Sequence, residues 1–276
     1  MAEAEFTEPE VLENTPRLGP DDRFRFHCDP SLDCFGHCCQ DVSILLTPYD
    51  VLRMKQALGI DSSAFMEQYT SLAYSAEKRV PVVFLKMNEA DKKCQFVGEK
   101  GCGVYANRPW ACRMYPLGMA ERSTSQGAAE RFYFVLKEEL CHGHGKGGEG
   151  AVREFIDGQG VEPYDVMQSP FRRLLAVAAE RKEALTTEQC AMYYMALYDL
   201  DRFRRFVFET RFLTLFDVDE ARVHAMRADD EELLELAVEW LAFSLFQQKA
   251  MRMTKSAAQQ KRAKGSAASA NQSSPA

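Results

Sequence analysis

The chain lacks any apolar run long enough to cross a bilayer. Its most apolar stretch, residues 233–246, is interrupted by Glu235, Glu239 and Ser244 and is too short and too charged for a membrane span. Residues 1–20 carry neither the basic start nor the apolar core of a secretory leader, so a cytoplasmic location is expected. Basic residues are not in excess either. The 34 Lys and Arg against 41 Asp and Glu give a formal net charge of −7, which argues against a general nucleic-acid binder. No Gly-Lys-Ser/Thr follows the glycine-rich segment 143–150, so phosphate binding of the P-loop kind has no motif here.

Against these absences stand nine cysteines, eight of them before residue 142. Disulfides are rare where the thiol pool is reduced. The odd total, the adjacent pair Cys38–Cys39 and the missing leader therefore favour metal ligation over bridging. The first group is Cys28-x5-Cys34-x3-Cys38-Cys39, in a segment whose Asp29, Pro30, Asp33 and Gly36 favour a tight loop on which four sulfurs can converge. The second is Cys94-x7-Cys102-x9-Cys112, and Cys141 follows.

Eight thiols suffice for two four-sulfur sites, or for one site plus spares. Adjacent cysteines seldom both ligate one ion, so Cys38–Cys39 points to a cluster or to two sites sharing the loop. His27, His37, His142 and His144 are alternative donors, since imidazole ligates zinc and iron alike. Spacing leaves the metal open between an iron–sulfur cluster and zinc. Only Cys34-x3-Cys38 fits a structural zinc knuckle, and the ferredoxin pattern Cys-x2-Cys-x2-Cys is absent. Arg108 and Arg113 flank Cys112 and suit the negative charge of a thiolate site with either metal. Metal binding contributes on the order of 10 kcal/mol of folding energy in small zinc domains, enough to offset a thin apolar core.

The pattern of elements is α+β: a small cysteine-rich N-terminal region with short strands, then a mainly helical C-terminal half. Strands are expected at 23–27, 42–46, 80–86 and 131–136. Thr47 as N-cap, Pro48 at the first helical position and Asp50 near the positive end of the dipole predict a helix to Leu58, stopped by Gly59. Asp61 caps a second helix, to about Tyr69. Between 88 and 118 few regular elements are expected, and 121–130 reads as a polar insert. Helical spacing then covers 152–157, 171–182, 188–208 and 229–251, with Asp229 and Glu232 as a capping pair. The division expected is an irregular arm 1–22, a metal-binding domain 23–165, a helical region 166–253 and a disordered tail 254–276, basic through Lys255, Lys261, Arg262 and Lys264.

These residues resemble the YkgJ-type cysteine-cluster family, the zinc- or iron-chelating CxxCxxCC domain. The likeness rests on Cys34, Cys38 and Cys39, on Leu46-Thr47-Pro48-Tyr49-Asp50, and on Cys94-Gln95-Phe96. It continues through Cys102-Gly103-Val104-Tyr105, Arg108-Pro109, Cys112-Arg113-Met114-Tyr115-Pro116 and Cys141, and covers about residues 24–165. Here Cys28-x5-Cys34-x3-Cys38 replaces the two-residue gaps of the family name, which makes Cys28 the least secure ligand. The resemblance implies binding of a metal ion or cluster. For some relatives it implies a flagellin-type protein-lysine N-methylase using S-adenosylmethionine, although no radical-SAM Cys-x3-Cys-x2-Cys triplet is present. A metal-binding protein with a structural or redox centre is the leading reading; a methylase and a metal-delivery or sensing protein are the alternatives. No nucleic-acid or membrane partner is evident, and no protein partner is specified.

Other residues have plainer readings. Cys190 is a small core residue, His224 lies at the surface, and Trp110 shields the site. Tyr49, Tyr105 and Tyr115 pack rather than bond to thiolates, and Asp29, Asp33 and Asp41 serve turns or orient ligands.

Overall fold

The computed structural model describes residues 15–123, 129–257 and 259. In chain order its first elements are β1 (Arg23–Phe26), β2 (Leu45–Leu46), α1 (Pro48–Leu58), α2 (Ser62–Tyr69), β3 (Thr70–Ser75), β4 (Val80–Leu85), β5 (Val97–Gly98), β6 (Gly101–Cys102), α3 (Trp110–Met114), β7 (Leu117–Ser123), β8 (Ala129–Val135) and β9 (His144–Ala151). Seven helices follow: α4 (Val152–Gly158), α5 (Glu162–Ala179), α6 (Thr187–Tyr198), α7 (Leu200–Glu209), α8 (Phe212–Leu215), α9 (Glu220–Ala225) and α10 (Asp230–Ser244). This is the α+β arrangement, with short strands early and helices late.

The chain forms two compact units, 1–44 with 86–165, and 45–85 with 166–276. The stretch 45–85, counted above with the cysteine region, therefore clusters with the helices. The boundary falls inside α5, after Asp165. Residues 1–14 and most of the expected tail lie outside the described residues.

Among the described residues the first unit holds three antiparallel strand pairs, β1–β9, β5–β6 and β7–β8. Strands β7 and β8 pair from Leu117↔Val135 to Ser123↔Ala129, and β1 pairs with β9 from Arg23↔Ala151 to Phe26↔His144. Strand β9 takes up most of the glycine-rich segment 143–150. It pairs because the glycines let β1 come close: a Cβ on Gly143 would sit 2.6 Å from the His27 carbonyl oxygen. The apolar core of this unit is small, with Met114, Leu117, Tyr133, Val152 and Val161 buried and Leu18, Phe24, Trp110 and Phe155 packed around them.

In the second unit, strand order β2-β4-β3 makes a three-stranded antiparallel sheet. Helix α1 starts and stops where its capping residues dictate. The Asp50 N–H donates to Thr47 Oγ1 at 3.2 Å, the Thr47 N–H donates to Asp50 Oδ2 at 2.8 Å, and Gly59 at φ 65° ends the helix in the left-handed region. Strand 42–46 shortens to Leu45–Leu46, and Thr70–Ser75 forms a strand that was not expected.

The helical run 188–208 is two helices, divided at Asp199. Its carboxylate accepts from Ser62 Oγ at 2.7 Å and Ser63 Oγ at 2.9 Å, a tertiary anchor invisible to helical spacing. Helix α10 ends at Ser244, short of 251, because the chain turns back through Gln247 at φ 56° and Met253 bridges Phe216. Its buried Leu233, Leu234, Leu236, Ala237, Val238, Trp240 and Leu241 supply much of the core. The Trp240 ring meets Phe203, Phe206 and Phe212 at centroid separations of 5.5, 5.2 and 5.9 Å.

Candidate metal centre

All eight early cysteines belong to the first unit, and all nine in the chain are free thiols. The loop that carries Cys28, Cys34, Cys38 and Cys39 has one short 3-10 turn, His37–Cys39, entered through Gly36 at φ 83°. Within residues 27–44 the one buried side chain is Cys34, at 7 % exposure. Leu32, Phe35, Val42 and Ile44 are half-buried, so apolar packing of this loop is thin.

Main-chain pairing brings distant cysteines together in two places. The Cys94 N–H donates to the Cys39 carbonyl at 2.7 Å, and Gln40 bridges Lys93, so the loop and the second cysteine group run antiparallel there. Strands β5 and β6 pair Val97 with Cys102, and the Val97 N–H donates to the Cys94 carbonyl at 3.1 Å. Cys94 and Cys102 thus flank one tight hairpin. Elsewhere the β1–β9 pairing and the His27 N–H donating to the Gly143 carbonyl at 3.1 Å carry Cys28 toward the Cys141 segment.

The electrostatic neighbours follow the same division. Partial burial, then the sulfurs of Cys38, Cys34 and Cys141, push the Cys28 thiol up to about 11. The thiol of Cys39 is held well above its ordinary value by its hydrogen bond to Cys38, by burial, and by the sulfurs of Cys38, Cys112 and Cys94. Burial also raises Cys94, with Cys102 adding to it. Two neighbourhoods follow: Cys28 with Cys34, Cys38 and Cys141, and Cys39 with Cys94 and Cys112, Cys94 in turn beside Cys102. They meet at the hydrogen-bonded pair Cys38–Cys39, where the shared bond lowers Cys38 to about 7.

One trio among the described residues brings its donor atoms within 4.8 Å of one another, and it includes only one of these thiols: Asp33, Cys34 and His142. The His142 N–H donates to Cys34 Sγ at 3.3 Å, and its Nδ1 lies 2.6 Å from Asp33 Oδ1. Within the same span no three cysteine sulfurs converge among the described residues. Asp33, expected to serve a turn or to orient a ligand, has its carboxylate at this trio. Asp29 does serve a turn, accepting the Ser31 N–H at 2.7 Å, and it also faces His27 Nε2 at 2.5 Å.

The two arginines beside Cys112 have different duties. Arg113 is a strut: it donates to the carbonyls of Arg108 at 3.0 Å, Gln159 at 2.7 Å and Ala106 at 2.6 Å, and lies 4.3 Å over the Tyr164 ring. Arg108 stacks on Tyr105 at 3.8 Å and feels the sulfurs of Cys112 and Cys102, while burial holds its pKa below the usual arginine value. Trp110 donates from Nε1 to Asp165 at 2.9 Å.

Tyr115 does more than pack. Its hydroxyl donates to Glu138 at 3.0 Å and also contacts Cys141; burial and these two partners raise its pKa. Tyr49 and Cys190 belong to the second unit. Tyr49 donates to Glu231 at 2.8 Å, and Cys190 Sγ lies 3.9 Å from the Leu185 carbonyl. Cys190 is an ordinary half-buried helix residue.

Eight free thiols gathered in thinly packed loops are a donor set suited to a soft or borderline metal. Residues 27–142 match one family model. It is CxxCxxCC, described as "Putative zinc- or iron-chelating domain". The matched span begins one residue before Cys28 and ends one after Cys141, enclosing the whole thiol set and supporting a metal-binding role for it. No curated protein and no solved structure matches the chain. No helix among the described residues is long and apolar enough to cross a membrane.

Proposed function

We propose that the protein binds zinc or iron through two four-thiolate centres, Cys28/Cys34/Cys38/Cys141 and Cys39/Cys94/Cys102/Cys112, joined at the Cys38–Cys39 step. The observation that carries this reading is the 27–44 loop. Fixing the backbone of each ordered residue costs about 1–2 kcal/mol of conformational entropy, and the thin apolar packing of this loop does not repay that over such a length. Metal–thiolate bonds do, at on the order of 10 kcal/mol per site.

Splitting Cys38 and Cys39 between two centres also resolves the difficulty of adjacent cysteines on one ion. A bound metal would supply four thiolate bonds per centre and, as an iron–sulfur cluster, a one-electron couple as well. The chain's own residues then have definite tasks. Arg113 fixes the backbone around Cys112, Arg108 places positive charge beside Cys102 and Cys112, and Tyr115 orients Cys141 through its hydroxyl. The centre is structural first, because the loop depends on it.

The test is replacement by serine. Cys28→Ser with Cys141→Ser should remove one centre, and Cys102→Ser with Cys112→Ser the other, each halving the bound metal. Full metal content in both double variants would overturn the reading.

A further inference from the structure

The trio Asp33, Cys34 and His142 differs from the two thiolate sets in chemistry. Asp33 and His142 are solvent-exposed, with side chains 77 % and 53 % accessible, whereas Cys34 is buried. Their oxygen, nitrogen and sulfur donors lie within 4.8 Å of one another. Cys34 is thus common to two groups, this mixed-donor trio and the proposed all-thiol set with Cys28, Cys38 and Cys141.

The geometry points to Asp33, Cys34 and His142 as the mixed-donor landing site through which a divalent ion of borderline softness, Zn²⁺ or Fe²⁺, is loaded onto the thiols of Cys28, Cys34, Cys38 and Cys141. This rests on the metal-binding reading above. Hard cations such as Mg²⁺ and Ca²⁺ prefer all-oxygen shells, while a mixed O, N and S set suits zinc and iron.

Loading from this trio proceeds by exchange of ligands. A hydrated ion meets the Asp33 carboxylate and the His142 imidazole at the surface and gains Cys34 as its first sulfur ligand, the Cys34 thiol giving its proton to solvent as water leaves the ion. The thiols of Cys28, Cys38 and Cys141 then each give up a proton to solvent and displace the carboxylate, the imidazole and the remaining water. No electron is transferred. The ion keeps Cys34 throughout, so it is never stripped of all its ligands at once, and the cost of full dehydration is avoided.

The His142 main-chain N–H donates to Cys34 Sγ at 3.3 Å and so holds the imidazole beside that sulfur. The Asp33–His142 contact at 2.6 Å keeps the two outer donors together before an ion arrives. The second set, Cys39 with Cys94, Cys102 and Cys112, has no such outer pair among the described residues. The two centres should therefore load at different rates.

The experiment uses the full chain stripped of metal under reducing conditions, mixed with Zn²⁺, and followed by zinc uptake against time and by final stoichiometry. The double variant Asp33→Asn with His142→Gln keeps the shape of both exposed side chains. It should slow the faster uptake phase by about 10-fold or more and leave the final zinc content and the slower phase unchanged. An uptake rate within 2-fold of the parent would overturn the proposal. A loss of one zinc per chain would also overturn it, because Asp33 and His142 would then be resident ligands. A parent chain that takes up no zinc or iron at all would instead overturn the metal-binding reading itself, and this proposal with it.

Discussion

The Cys94 main-chain N–H donates to the Cys39 carbonyl at 2.7 Å. This one hydrogen bond joins the first cysteine group to the second through backbone alone, beside the Gln40–Lys93 bridge. It brings the end of the 3-10 turn that carries Cys38 and Cys39 against the Cys94 hairpin.

Arg113 satisfies three backbone carbonyls and the Tyr164 hydroxyl from a side chain that is 6 % exposed. Each buried acceptor left without its donor costs about 1–3 kcal/mol. Arg113→Ala should therefore destabilise the cysteine-bearing unit by roughly 3 kcal/mol or more, with Arg113→Lys intermediate because an ammonium lacks the planar fork. Denaturant unfolding measures this. A loss below about 1 kcal/mol would contradict the strut role.

Gly143 and Gly148 make a matched pair. A Cβ at Gly143 meets the His27 carbonyl oxygen at 2.6 Å, whereas at Gly148 it meets nothing within 4 Å. Gly143→Ala should cost about 1–3 kcal/mol by forcing β1 from β9, and should loosen metal held by Cys28 and Cys141. Gly148→Ala should be nearly neutral in both thermal melting and metal retention. Equal effects of the two would show that close approach at Gly143 does not matter.

In the second unit Lys55, 7 % exposed at its side chain, bridges Asp201 and Asp230 at 2.9 Å each. Burial alone would raise the Asp201 pKa, but the Ser62 N–H at 2.7 Å and Lys55 outweigh it and hold the carboxyl below 3.8. A depressed carboxylate adds stability that is present above its unfolded value and lost as pH falls through its folded one. The stability gap between the parent and Asp201→Asn should accordingly be constant above about pH 5 and shrink below about pH 4. Unfolding curves across that range decide it; a gap that persists to about pH 2 would refute the assignment.

Much of the fold was legible because local rules and tertiary structure agree. Thr47, Pro48, Asp50 and Gly59 define α1 by capping chemistry alone, and Asp61 does the same for α2. Where the reading failed, a long-range partner decided the matter. Asp199 breaks a helical run because Ser62 and Ser63 claim its carboxylate, and the glycine-rich segment 143–150, given no element above, forms β9 where β1 comes close. At the site, sulfur content and the Cys38–Cys39 pair pointed to the loop. The proposed partition of eight thiols into two sets rests on main-chain pairing between distant segments, which spacing does not encode. The recruitment of Asp33 and His142 to Cys34 is of the same kind: their adjacency exists only once the loop and the Cys141 segment meet.

Metal analysis with a visible spectrum, on protein purified without oxygen, tests the central claim most directly. The account predicts two metal centres per chain: a broad charge-transfer absorption and acid-labile sulfide if they are iron–sulfur, or a colourless protein with stoichiometric zinc. A folded, metal-free chain in which all eight early thiols react freely with a thiol reagent would contradict it.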